Sequence, residues 1–158
     1  MRSLVLYYSF GGNTRELAEK IAERTNSDME EIKTDKRIDS SNFLQYSWES
    51  GKKNFDITDP KKNPNDYDLI FLGTPVWAWA PAPPIYAFME KFTVKGKRIA
   101  VFSTSEGDCG KCIDRMRTLL KGNELVNHRE FVIPPSGNMK ELKKEAGAWA
   151  GKVIKSSK

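Results

Sequence analysis

Three short apolar runs constrain this chain more than anything else in it. Leu4-Val5-Leu6-Tyr7-Tyr8, Tyr67-Asp68-Leu69-Ile70-Phe71-Leu72-Gly73 and Arg98-Ile99-Ala100-Val101-Phe102-Ser103 are brief, nearly continuous in apolar residues and rich in β-formers. Such runs read as strands buried on both faces, the pattern of a parallel sheet. Between them the period changes. After Thr14, residues Leu17, Ala18, Ile21 and Ala22 recur at helical spacing opposite Arg15, Glu16, Glu19, Lys20 and Glu23. A second helix is expected from Pro84 through Ile85, Phe88, Met89 and Phe92, a third over about 111–121, and an amphipathic one over 138–154.

The weaker elements follow from the same logic. Met29-Glu30-Glu31-Ile32 alternates loosely and reads as a short strand near a sheet edge, and 125–133 as a last strand with an irregular start. Residues 33–66 are the least legible. Phe43, Leu44, Tyr46 and Trp48 follow Ser40-Ser41-Asn42, which suggests a crossover helix from about 41 to 50, and Asn63-Pro64-Asn65-Asp66 then punctuates the chain. Four prolines and two tryptophans between Thr74 and Pro84 argue against regular structure there. Strands alternating with helices mean an α/β protein, with a five-stranded parallel sheet between two helical layers. A chain of 158 residues suits one domain spanning 1–158, whose core needs no metal or disulfide staple.

The turn between the first strand and first helix carries the clearest chemistry. In Ser9-Phe10-Gly11-Gly12-Asn13-Thr14, two glycines permit close backbone approach, and Ser, Asn and Thr supply neutral donors beside the free amides of a helix start. That is the composition of a phosphate cradle, though an N-cap turn has a similar one. No Gly-Lys-Ser/Thr follows, so it is not a Walker loop, and the GxGxxG spacing of dinucleotide folds is missing.

The hexapeptide resembles the first loop of the flavodoxin family, Ser/Thr-x-Thr/Gly-Gly-x-Thr, which wraps the phosphate of FMN. Phe10 fills the variable position and Gly11 stands where many members have Thr. The stretch Gly73-Thr74-Pro75-Val76-Trp77-Ala78-Trp79-Ala80-Pro81-Ala82-Pro83-Pro84 resembles the family's flavin-ring loop. A third loop, Ser103-Thr104-Ser105-Glu106-Gly107-Asp108, matches in position and polarity only, because it has no Tyr to cover the flavin's other face. The resemblance implies a flavodoxin-like three-layer α/β/α fold with strand order 2-1-3-4-5. It also implies FMN as cofactor, with its phosphate on residues 9–14 and its ring between residues 74–79 and 103–108. In that topology the crevice opens at the carboxyl ends of the first and third strands, here Ser9 and Gly73.

Each of these residues also has a plainer reading. Trp77 and Trp79 are flat enough to stack on a ring, with Trp77 the preferred partner, and are equally suited to core packing. Cys109-Gly110-Lys111-Cys112 is a CxxC at an expected helix start, where the helix terminus and Lys111 would lower a thiol pKa; the pair is either redox-active or structural. A zinc site is not expected, since no second Cys or His pair exists. Glu106 and Asp108 suit helix capping better than acid–base work, and His128, the one histidine, lies in the last strand without a catalytic partner. No nucleophile set assembles, so no catalytic residue is assigned. A phosphoacceptor receiver, a second class of flavodoxin-fold protein, needs acids where Ser9 and Gly73 stand.

Charge separates the functions that remain. Twenty-six Lys and Arg against 21 Asp and Glu give +5, scattered in ones and twos without a basic stripe or a nucleic-acid motif. No run approaches the ~20 apolar residues of a membrane span, and no signal peptide precedes the first strand, so the cytoplasm is expected. Electron-carrier flavodoxins are usually acidic. One extra positive charge ~10 Å from a flavin, at an effective dielectric of about 20, is worth about 1.7 kcal/mol, or roughly 70 mV, before screening. A less negative reduction potential than an acidic carrier's is expected. The leading reading is an FMN-binding electron-transfer protein serving redox partner proteins. The alternative is an FMN-dependent NAD(P)H:quinone oxidoreductase acting on a small quinone or nicotinamide, and a third is an interaction module with a vestigial site. Monomer and homodimer are both compatible with the sequence.

Overall fold

The computed structural model describes residues 1–36, 38 and 56–158. The helix expected over about 41 to 50 lies outside the described residues. In chain order the elements are β1 (Ser3–Tyr7), α1 (Asn13–Thr25), β2 (Asp28–Glu31), a single 3-10 turn (Pro64–Asp66), β3 (Leu69–Trp77), β4 (Ala80–Pro81), α2 (Pro83–Lys91), β5 (Arg98–Ser105), α3 (Cys112–Leu119), β6 (Glu124–Val132) and α4 (Lys140–Ser156). The sheet runs β2-β1-β3-β5-β6 with every neighbouring pair parallel. Setting aside β4, this is the 2-1-3-4-5 order implied by the resemblance. Among the described residues no helix is long and apolar enough to cross a membrane.

Alternation along the strands explains the two helical layers. Leu4, Leu6, Ile70, Leu72, Ile99 and Val101 face one side, where Ile85 and Phe88 of α2 and Met116 of α3 cover them. Val5, Tyr7, Leu69, Phe71, Ala100 and Phe102 face the other, against Leu17 and Ile21 of α1 and Trp149 and Val153 of α4. Trp149 meets Phe71, Phe102 and Phe131 edge-on at 5.8, 6.4 and 6.2 Å, and its Nε1–H donates to Asn127 Oδ1 at 3.0 Å. The polar end of the indole is thereby satisfied as its apolar body is buried. Full burial of each large side chain contributes about 1.5–3 kcal/mol, so both faces of the sheet are well secured.

Two expectations about regular structure need correction. The proline-rich stretch after Gly73 is partly regular: β3 continues through Trp77, turns at Ala78 and Trp79, and pairs antiparallel with β4 in the register Val76↔Pro81 and Trp77↔Ala80. Pro81 is tolerated because among the described residues β4 pairs only with β3 and no outer strand calls for an amide from it. β5 is also longer than expected, since Thr104 and Ser105 pair with Phe131 and Val132 of β6. The irregular start of the last strand is present as a register shift between Ile99 and Ala100, which leaves Val126 as the extra residue on β6.

Candidate functional site

Three loop regions meet where the carboxyl ends of β1, β3 and β5 lie side by side. The Tyr8 amide donates to the Gly73 carbonyl at 3.1 Å, which joins the exits of β1 and β3. Gly12 has φ of +100°, a conformation costly for any residue with a Cβ, and serves as N-cap of α1 without a capping side chain. The Ser9 hydroxyl accepts from the Arg15 amide at 3.2 Å, holding the turn closed. A Cβ placed on Gly11 or Gly12 would meet no atom within 4 Å, so both glycines border open space. Open space beside a helix N-terminus whose N-cap residue has no side chain, with the positive end of the helix dipole behind it, is a place for an anion.

The second region is held from its base. Thr74 Oγ1 donates to the Pro75 carbonyl at 2.9 Å and accepts from the Ala82 amide at 3.0 Å, tying the two arms of the hairpin together. Trp77 is 4% exposed and meets Tyr8 and Phe10 edge-on at 5.9 and 5.5 Å. It is therefore a braced wall of the site. Burial, with the nearby Glu31 carboxylate, pushes the Tyr8 phenol up, so that it stays neutral behind Trp77.

The third region is tied to the first through a buried bond that joins two hydroxyls. Thr14 Oγ1 and Thr104 Oγ1 lie 2.8 Å apart, with both side chains buried. Ser105 Oγ donates to the Gly107 carbonyl at 2.7 Å, and the Ser105 carbonyl accepts from the Ile133 amide at 2.7 Å, which draws Ile133 toward the site. Asp108 Oδ1 accepts from the Gly110 amide at 2.8 Å, so it caps the turn before α3 and not the helix itself.

These ties enclose a cleft of about 390 Å³, within the size range of small-molecule sites. Phe10, Gly11, Asn13 and Thr14 line one end; Pro75, Val76 and Trp77 form an apolar wall; Thr104, Ser105, Glu106 and Ile133 form the third side. Of the other site residues named from sequence, Ser9 lines a separate pocket with Arg15 and Glu31, Gly12 is not part of the lining, Thr74 and Ser103 are fully buried, and Gly107 and Asp108 are exposed. Ala78 and Trp79 do not line the cleft but turn outward into a neighbouring pocket. Ile133, read from sequence only as the end of the last strand, was missed as a site residue because β5–β6 pairing and its bond to the Ser105 carbonyl are what bring it to the cleft. A larger groove of about 960 Å³ lies between α1 and α4. Four of its charged side chains pair with one another, Lys143 with Glu16 at 3.2 Å and Lys20 with Glu23 at 2.8 Å, and among the described residues its lining comes from α1, α4 and the turn before α4, not from strand ends.

Cys109 and Cys112 are free and buried. Contrary to the expected lowering, burial pushes both thiols up, Cys112 to about 12, because desolvation outweighs any stabilisation of a thiolate from the helix start. Ser105 Oγ lies 3.1 Å from Cys109 Sγ. His128 is exposed on β6, on the far edge of the sheet.

A cleft with an anion cradle at one end and an apolar wall at the other suits a flat aromatic ligand that carries a phosphate. No curated protein matches the sequence. Among solved structures, a flavoprotein from Lactobacillus acidophilus in complex with FMN superposes with a TM-score of 0.70 at 24% identity, covering 90% of this chain and 97% of that one. A putative flavoprotein from Bacteroides eggerthii gives 0.80 at 23% identity, covering 97% and 98%. A WrbA-like flavodoxin from Agrobacterium tumefaciens gives 0.68 at 16% identity, covering 99% and 96%. At these identities the likeness is one of fold. The family model described as Flavodoxin matches residues 2–130, from before β1 into β6 and across all three site regions, and the chain belongs to the flavodoxin family.

Proposed function

We propose that the chain binds FMN in this cleft and carries electrons between redox proteins. The observation that supports the reading is the convergence of Phe10, Gly11, Asn13 and Thr14 with residues 75–77 and 104–106 on one cleft of about 390 Å³ at the strand-order switch point. Bound flavin supplies the redox chemistry, one or two electrons at a time. The chain's own residues do the rest. The Gly11, Asn13 and Thr14 amides donate to the phosphate. Pro75, Val76 and Trp77 exclude water from one face of the ring, and the Thr14–Thr104 bond sets the spacing between the phosphate end and the third side. Among the described residues the cleft lining holds one acid, Glu106, and no Lys or Arg, so amides and the helix dipole, not side-chain cations, hold the anion. Thr74 and Ser103, buried and outside the lining, act as its frame.

A second reading, an FMN-dependent NAD(P)H:quinone oxidoreductase, is favoured by one feature: residues 104–106 bring no aromatic ring to the third side, so a second flat substrate has room to approach. Two measurements test these readings. Titrating FMN into the protein should quench flavin fluorescence at one equivalent, and absence of binding removes both readings. Steady-state NADPH oxidation with a quinone acceptor then separates them: turnover at the free-FMN background leaves the carrier, and turnover well above it establishes the enzyme.

A further inference from the structure

Trp79 is the most exposed large apolar side chain among the described residues, at 60%. Single exposed apolar groups are ordinary, so its exposure alone says little. What holds it there is unusual. Ala78 and Trp79 both have positive φ, 48° and 59°, a conformation that hairpin turns normally reserve for Asn, Asp or Gly. The turn thus holds the indole away from the cleft that Trp77 lines. Its five-membered side rests in a notch at Gly110, where a Cβ would come within 2.5 Å of Trp79 Cδ1 and 2.8 Å of its Cβ. Gly110 itself has φ of +53°, so two loops distant in sequence are shaped around one ring.

Beside that ring is a pocket of about 310 Å³, lined by Ala78, Trp79, Gly110, Lys111 and Arg115. An aromatic face next to two cations recognises a planar ligand carrying negative charge: the ring stacks, and the guanidinium fork and the ammonium bind phosphate. The positive character is local. Glu106, Asp108 and Asp114 are exposed in the same stretch of chain, so a broad acidic protein face would meet these three acids beside the two bases, whereas a small ligand confined to the pocket meets Lys111 and Arg115. The pocket's size also suits one small molecule.

We propose that this pocket is a second binding site, distinct from the cleft, for a nucleoside phosphate whose base stacks on Trp79 and whose phosphate is held by Lys111 and Arg115. The proposal does not depend on what fills the cleft. Placed one turn of hairpin away from Trp77, the site would bring a nucleotide beside the cleft without competing for it.

ADP is the probe, titrated calorimetrically into the protein saturated with FMN and again into the protein without FMN, with adenosine and inorganic phosphate as partial ligands. Expected is one ADP per chain in both titrations without release of FMN. Adenosine and phosphate alone should each bind at least about tenfold more weakly, since each makes only half the contacts. Trp79→Ala and, independently, Arg115→Ala should each weaken ADP about tenfold and leave FMN affinity unchanged. The proposal is overturned if ADP fails to bind, displaces FMN, or binds both variants as it binds the parent. It is also overturned if a polyglutamate peptide binds the pocket as tightly as ADP. Failure of FMN to bind, with ADP still bound in a Trp79-dependent way, would remove the proposed function and leave this site standing.

Discussion

Replacing Gly11 with alanine separates the stability of the phosphate turn from its use. Gly11 does not have positive φ, and a Cβ there meets nothing within 4 Å. The folded protein therefore accepts the methyl group without strain, while the unfolded chain loses freedom, a change worth about 0.4–1 kcal/mol in favour of folding. For a chain of this length that is a rise in Tm of roughly 1–4 °C. The same methyl projects into the space the phosphate would occupy. Loss of even one charge-assisted hydrogen bond from backbone amide to phosphate costs about 1.5–3 kcal/mol, so the Kd for FMN should rise by a factor of roughly 10–150. Thermal melting of the flavin-free variant reads the first effect and quenching of flavin fluorescence the second. An FMN affinity within about twofold of the parent would refute the cradle. A Tm several degrees lower would refute the claim that Gly11 borders open space. Gly12→Ala is the control, since φ of +100° makes it strained by about 1–2 kcal/mol and it should lose both stability and affinity.

Gly73→Ala places a Cβ 2.6 Å from Phe102 Cε2, inside a packed core, and should destabilise by about 1–3 kcal/mol or more in urea unfolding; a change below about 0.5 kcal/mol would show that Phe102 moves aside freely. Thr104→Val leaves the Thr14 hydroxyl buried without its partner, an expected loss of about 1–3 kcal/mol, and a neutral result in the same assay would remove the link between first and third regions. Cys112 has a folded pKa of about 12 against an ordinary 9.0, so the native state keeps its proton longer than the unfolded chain. Its contribution to stability is full below about pH 9 and is lost as pH rises toward 12. Cys112→Ala should flatten that alkaline decline, and an unchanged profile of stability against pH would contradict the burial effect.

How much of this was legible in the sequence depends on which forces act locally. β1, β3 and β5 were readable because strands buried on both faces must be apolar throughout, and α1 because Leu17, Ala18, Ile21 and Ala22 fall on one stripe. The β3–β4 hairpin was not, because its turn places Ala78 and Trp79 in a conformation neither residue prefers, and tertiary packing on Gly110 overrides that preference. The extension of β5 through Ser105 was hidden for a similar reason: polar residues at a strand end look like a loop until β6 is known to pair with them. Position in the chain revealed that Trp77 and Trp79 sit near the switch point, yet only the hairpin's geometry sends one to the cleft and the other outward. The thiol pKa direction failed because a helix start is visible in a sequence whereas the depth of burial beneath it is not.

The central claim is that residues 9–14 hold a phosphate at the end of a flavin cleft. Comparing FMN with riboflavin, which lacks only the phosphate, tests it most directly. Tight one-to-one binding of FMN and riboflavin affinity weaker by at least about a hundredfold are expected, since several charge-assisted contacts are lost together. Equal affinity for the two flavins, or no binding of either, would contradict the account.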